Sequence, residues 1–156
     1  PGNDDDGRDL QRNLDPDELA QDMINSARYL KGHEFSNGQL GATGFCWGGG
    51  MTNRLAVVLG SDLQAGVPFY GAAVSAEAAS SIKAAMMINM ADTDPRINAM
   101  WPDYEAALRE NGVDYRAHTY EGTLHGFHNN STPRYNKSAA DLAWNRTVGF
   151  FREHLR

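Results

Sequence analysis

Residues 41–50 read Gly-Ala-Thr-Gly-Phe-Cys-Trp-Gly-Gly-Gly and hold the chain's single cysteine, Cys46. A short apolar run ending in clustered glycines predicts a strand and then a tight turn into a helix. The thiol in that turn has two readings. It is a small buried residue, or it is a nucleophile lifted out of the backbone at a strand end. The pattern Gly44-x-Cys46-x-Gly48 fits the second, because flanking glycines let a strained elbow pack against its neighbours. A helix N-terminus favours thiolate over thiol, and the Trp47 backbone N–H would face a developing acyl oxyanion.

Outward from this elbow, strands and helices alternate. Residues 1–14 are polar and acidic and read as a lead-in loop, with one domain expected over 15–156. Asp15-Pro16-Asp17-Glu18 spells a helix start: a capping carboxylate, a proline at the first helical position and an acid three residues on. Leu19, Met23, Ala27 and Leu30 then recur at helical spacing up to Lys31-Gly32. Strands are expected at 39–45, 65–70, 84–91 and 114–120, and helices around 51–59, 75–82, 98–110 and 138–154. The last two helices should turn Tyr104, Ala107 and Leu108, and Leu142, Val148, Phe151 and Leu155, toward the core. A loop rich in Gly, Asn, Ser and Pro fills 121–137. Alternating strands and helices imply an α/β fold, with about four parallel strands flanked by helices.

In an open parallel sheet, reactive groups gather beyond the carboxyl ends of the strands. Cys46 follows the first strand, Asp92 and Asp94 the third, and His125 the fourth. Nucleophile, acid and histidine in that chain order suit acyl transfer. The imidazole takes the thiol proton and later returns it to the leaving group, while a carboxylate orients the ring. Taken singly, each residue has a plainer role: an inert thiol, a turn aspartate before Pro95, a loop histidine. Their conjunction favours chemistry. His125 and His128 lack a third nearby ligand, so no metal and no cofactor is expected.

Composition narrows the partners. The chain has 156 residues, 41% apolar and 22% charged, with a formal net charge of -6. That length supports a real core, and an acidic chain without a basic patch is a poor ligand for nucleic acid. One cysteine cannot form an intrachain disulfide, and no apolar run approaches the ~20 residues of a membrane span. The opening Pro-Gly-Asn-Asp-Asp-Asp has no signal-peptide character, so a cytoplasmic protein is expected.

Three stretches carry a family resemblance: GATGFCWGGG at 41–50, ADTDPRINAMWPDYEAAL at 91–108, and TYEGTLHGFHNNSTPRYN at 119–136 with the closing AWNRTVGFF. Together they resemble the dienelactone hydrolase family of carboxymethylenebutenolidase-like α/β-hydrolases, from about residue 15 onward. The resemblance implies Cys46 as nucleophile, His125 as base, Asp94 as the orienting acid and the Trp47 N–H as oxyanion donor. Phe127 and Arg134 are the candidate substrate contacts, Arg134 as a nearby arginine and not as a match to the family motif. Family members place a carboxylate-binding arginine four residues after the histidine, where this chain has Asn129. The implied reaction opens an enol-lactone through an acyl-thiol intermediate.

The resemblance also implies a partial α/β-hydrolase fold that lacks the N-terminal strands. The strand ending at Cys46 then becomes an edge, and a second copy or a companion chain is expected to cover it. A thioesterase or aryl esterase on the same fold is an alternative. An amidotransferase-like domain is disfavoured, because Phe127 stands where that family has an acid. From a different class, a non-catalytic remnant acting as a binding or assembly module is the remaining reading.

Overall fold

The computed structural model describes residues 2–156; Pro1, the first residue of the expected lead-in, lies outside the described residues. Four parallel strands form one sheet in the order β1-β2-β3-β4. They are β1 (Gly41–Phe45), β2 (Ala65–Phe69), β3 (Ala85–Thr93) and β4 (Tyr115–Leu124). The helices are α1 (Asp4–Arg12), α2 (Pro16–Gly32), α3 (Trp47–Leu59), α4 (Ala76–Ala79), α5 (Pro95–Asn98), α6 (Trp101–Glu110) and α7 (Lys137–His154).

Period-two alternation along β3 divides the core into two layers. Met86, Ile88 and Met90 pack with Ile24 of α2, Leu55 of α3 and Leu108 of α6. Ala85, Met87 and Ala91 face the opposite way, toward Ala143 and Phe150 of α7. A strand buried on both faces reads as a continuous apolar run, which is why β3 is so legible in the sequence.

The lead-in differs from expectation. Asp4–Arg12 is helical, because the Asn3 side chain accepts the Asp5 and Asp6 N–H groups and Arg12 closes the last turn. The fourth strand also runs past residue 120. A register shift opposite Ala91–Thr93 lets β4 continue to Leu124, with Gly122 at φ 66° taking the left-handed backbone of the bulge.

Two helices bury only part of the faces their spacing suggested. In α2 the buried residues are Ala20, Ile24 and Ala27, whereas Leu30 is 57% exposed. In α7 the inward face is Ala139, Ala143, Thr147 and Phe150; of the expected residues Phe151 and Leu155 pack against that core, while Leu142 points outward. In α2, Met23 and Leu30 instead line an open groove of about 370 Å³ alongside β1. Among the described residues β1 pairs only with β2, so its outer side is an edge.

Candidate active site

The elbow is built by steric necessity. A Cβ on Gly44 would sit 2.1 Å from the Gly48 carbonyl oxygen, and one on Gly71 would sit 2.2 Å from the Gly49 carbonyl carbon. Backbone therefore passes over backbone where α3 leaves the sheet, which only glycine permits. Gly48 itself has open space around its missing side chain, so it is not a crowded position. Cys46 sits at φ 56° and ψ −115° as the N-cap of α3, with no side-chain capping bond. A non-glycine residue there carries on the order of 1–3 kcal/mol of backbone strain. Its N–H donates to Phe69 O at 3.0 Å, which ends the β1–β2 ladder and fixes the turn. The thiol is left exposed.

The histidine and its acid come from neighbouring strand ends. Asp94 caps α5 just after β3 and is 6% exposed. Its Oδ2 lies 2.5 Å from His125 Nδ1, just beyond β4. A carboxylate only accepts, so this pair puts the imidazole proton on Nδ1 and leaves Nε2 to act as a base. Asp92, the competing acid, is spent elsewhere: its Oδ2 accepts the Gly122 N–H at 3.1 Å and braces the β4 bulge.

Tyr70, directly after β2, shares the left-handed backbone of Cys46, at φ 35°. It is 3% exposed, and its ring centroid lies 4.9 Å from that of His125. Burial pushes its phenol up to about 12; the Cys46 charge adds to the shift, while the His128 backbone and Arg134 oppose it.

Phe127 corrects an expectation. It is fully buried among Phe69, Tyr70 and Tyr120, so it is a core residue and offers a substrate no surface. Arg134 lies against Gly126, its guanidinium carbon 3.6 Å from where a Cβ would be, and so stands beside His125 in the loop. His128 turns away into aromatic rings, 4.9 Å from Phe45 and 6.0 Å from Trp144. Burial lowers its pKa. Among the described residues, no three His, Cys, Asp or Glu side chains gather as a metal site.

A cavity of about 470 Å³ opens at Cys46, walled by Trp47, Gly50, Met51, Arg54, Ala72, Ala73, Val74 and Arg96. Two arginines here escaped the sequence reading. The signal for Arg54 was its spacing: Gly50 and Arg54 lie four residues apart on one face of α3, four and eight residues after the Cys46 N-cap. Arg96 follows the Asp94-Pro95 cap directly, and among the described residues it has no ion-pair partner. Arg54 makes only a long contact with exposed Asp17, at 3.4 Å. Both guanidinium groups therefore remain available to an anionic ligand.

The same fold occurs in a dienelactone hydrolase structure from Anabaena variabilis ATCC 29413, at TM-score 0.72 and 22% identity, covering 98% of this chain and 68% of that one. It occurs again in a dienelactone hydrolase-like promiscuous phosphotriesterase from metagenomic libraries, at TM-score 0.75 and 23% identity, covering 88% and 60%. In sequence, a candidate carboxymethylenebutenolidase of Saccharolobus solfataricus is 31% identical over 92% of this chain and 54% of its own length. A Bradyrhizobium sp protein, named a probable 2-oxo-3-(5-oxofuran-2-ylidene)propanoate lactonase, is 27% identical over 91% and 62%. The chain thus spans little more than half the length of the relatives it matches. The family model for dienelactone hydrolases matches residues 3–155. This chain belongs to the dienelactone hydrolase family.

Proposed function

We propose that the chain is a hydrolase that opens a lactone or cleaves a small carboxylic ester through Cys46. The observation that carries this reading is the 2.5 Å His125–Asp94 pair, on the sheet end that also holds a cysteine at φ 56°. His125 Nε2 removes the thiol proton as Cys46 Sγ attacks the carbonyl carbon. The carbonyl π electrons move to oxygen, and the Trp47 N–H at the start of α3 stabilises that oxyanion. Collapse breaks the C–O bond, and the imidazolium returns its proton to the departing oxygen. Water, deprotonated by His125, then cleaves the acyl-thiol bond and restores the cysteine.

The cavity arginines favour a substrate that carries a carboxylate, since guanidinium groups pair well with one. The lactone in the name of the Bradyrhizobium relative fits that description. A thiol nucleophile also suits the reducing cytoplasm. The test is hydrolysis of a dienelactone and an aryl acetate by the purified chain beside Cys46→Ala. Turnover lost in the variant supports the reading, and equal background rates sink it.

A second reading, from a different class, is a binding or assembly module without turnover. Folded protein with a Cys46 that a small alkylating reagent labels no faster than a free thiol would favour it. Under either reading we propose that the β1 edge is covered by a second copy or a companion chain. Light scattering that shows a monomer at high concentration argues against a second copy.

A further inference from the structure

We propose that Tyr70 is a positioning residue for His125, its ring forming the wall that sets the plane of the imidazole. The proposal rests on the hydrolase reading above. The sequence alone would not suggest it, because Tyr70 looks like the last residue of an apolar strand.

The backbone is the first observation. Successive strand residues point to opposite faces, yet Phe69 and Tyr70 are neighbours in sequence and pack in the same layer, with α7. The reversal is made by the left-handed φ of 35° at Tyr70. Two constraints hold that conformation: the Tyr70 N–H donates to Asn89 O at 2.7 Å, and Gly71 lies against α3 with no room for a Cβ. Strain persists where the surroundings over-determine it, and such places cluster at working sites. Among the described residues, Cys46 is the other non-glycine residue with positive φ.

The second observation is what the reversal achieves. It carries the phenol ring across the sheet end to 4.9 Å from His125, inclined at 58°. The same ring touches Phe127 at 5.4 Å and lies 6.3 Å from Phe45, the residue before Cys46. Asp94 holds the imidazole at one atom, Nδ1. One hydrogen bond fixes one ring atom and leaves rotation about it. A bulky ring packed against the imidazole at an inclination of 58° restricts that freedom, so the acid and Tyr70 together define where Nε2 points.

The test compares ring-keeping and ring-removing variants by proton NMR of the hydrogen-bonded imidazole N–H of His125. Wild type and Tyr70→Phe are expected to show that proton protected from exchange. Tyr70→Met, which keeps apolar volume, and Tyr70→Asn, which tolerates positive φ, are expected to lose the protection. In the ring-less variants kcat should fall about tenfold to a hundredfold with KM little changed, and Tyr70→Phe should restore it. A folded ring-less variant with wild-type imidazole protection overturns the proposal. Failure of both ring-less variants to fold also overturns it, because Tyr70 would then be a residue of the global core. If wild type shows no turnover, the hydrolase reading fails while the NMR comparison still decides the role of Tyr70.

Discussion

Gly44 and Gly48 meet backbone to backbone: a Cβ on the first would lie 2.1 Å from the carbonyl oxygen of the second. Gly44→Ala must therefore push the first turn of α3 away from the sheet, and with it Cys46. Overpacking against rigid backbone is expected to cost at least about 2–3 kcal/mol. The reciprocal substitution behaves differently, since Gly48 has open space and sits in the first turn of α3. Gly48→Ala should be neutral or stabilise by about 0.5–1 kcal/mol through lost unfolded-state freedom. Urea unfolding of both variants checks the contrast. Equal effects would mean that the elbow is not held by this contact.

The two aspartates after β3 separate as cleanly. Asp94 meets the histidine, and Asp92 braces the bulge in β4. Asp94→Asn keeps the shape but can donate to Nδ1, and so favours the wrong tautomer. Under the proposed mechanism kcat should drop about a thousandfold to ten-thousandfold, with folding intact. Asp92→Asn should keep activity within a few-fold. Steady-state kinetics of the two variants decide it. A larger loss at Asp92 would reverse the assignment of the acid.

That assignment shows what the sequence could and could not carry. Asp94 and His125 were legible because chemistry must follow strand ends, and β3 announces its end through an apolar run interrupted only at Asn89. Arg54 and Arg96 were not legible, because a cavity wall is a tertiary object that no single element encodes. The α2 face was misread for a related reason. Of the spaced residues Ala27 packs inward, yet Met23 and Leu30 line a groove beside the β1 edge while Ala20 and Ile24, which the spacing did not mark, are buried. Phe127 looked like a site residue by its neighbours in the chain. Its burial follows from Gly126 at φ 89°, which turns the loop back onto the sheet. Tyr70 was silent altogether, since a positive φ at a non-glycine residue leaves no mark in composition or period.

Two histidines make stability depend on pH. Burial lowers the pKa of His128, and burial with nearby Arg146 and Arg116 lowers that of His118. The unfolded chain therefore takes up protons first as pH falls. The stability linked to these groups is complete above the unfolded value of about 6.5 and is lost below it, toward the lowered folded values. Urea midpoints measured at about pH 7.5 and about pH 5.5 should fall with pH. In His128→Gln and in His118→Gln the slope should be shallower. An unchanged slope in both variants would show that neither imidazole resists protonation in the fold.

The cavity beside Cys46 is braced from behind by one buried polar chain. Tyr104 of α6 donates its hydroxyl to Asn53 Oδ1 at 3.1 Å, and Asn53 Nδ2 donates to the Ala72 carbonyl at 2.9 Å. Asn53 is 1% exposed and Tyr104 is 2% exposed, so neither group can turn to water instead. Burial also raises the Tyr104 phenol, which stays protonated and keeps donating. Tyr104→Phe strands the Asn53 oxygen and should cost about 1–3 kcal/mol in urea unfolding. The Ala72 bond survives that change, so substrate binding should not move. Asn53→Ala removes both bonds and frees the Ala72–Val74 wall, so it should lower stability and raise KM as well. A rise in KM with Tyr104→Phe, or none with Asn53→Ala, would mean that the wall takes its position from something other than Asn53.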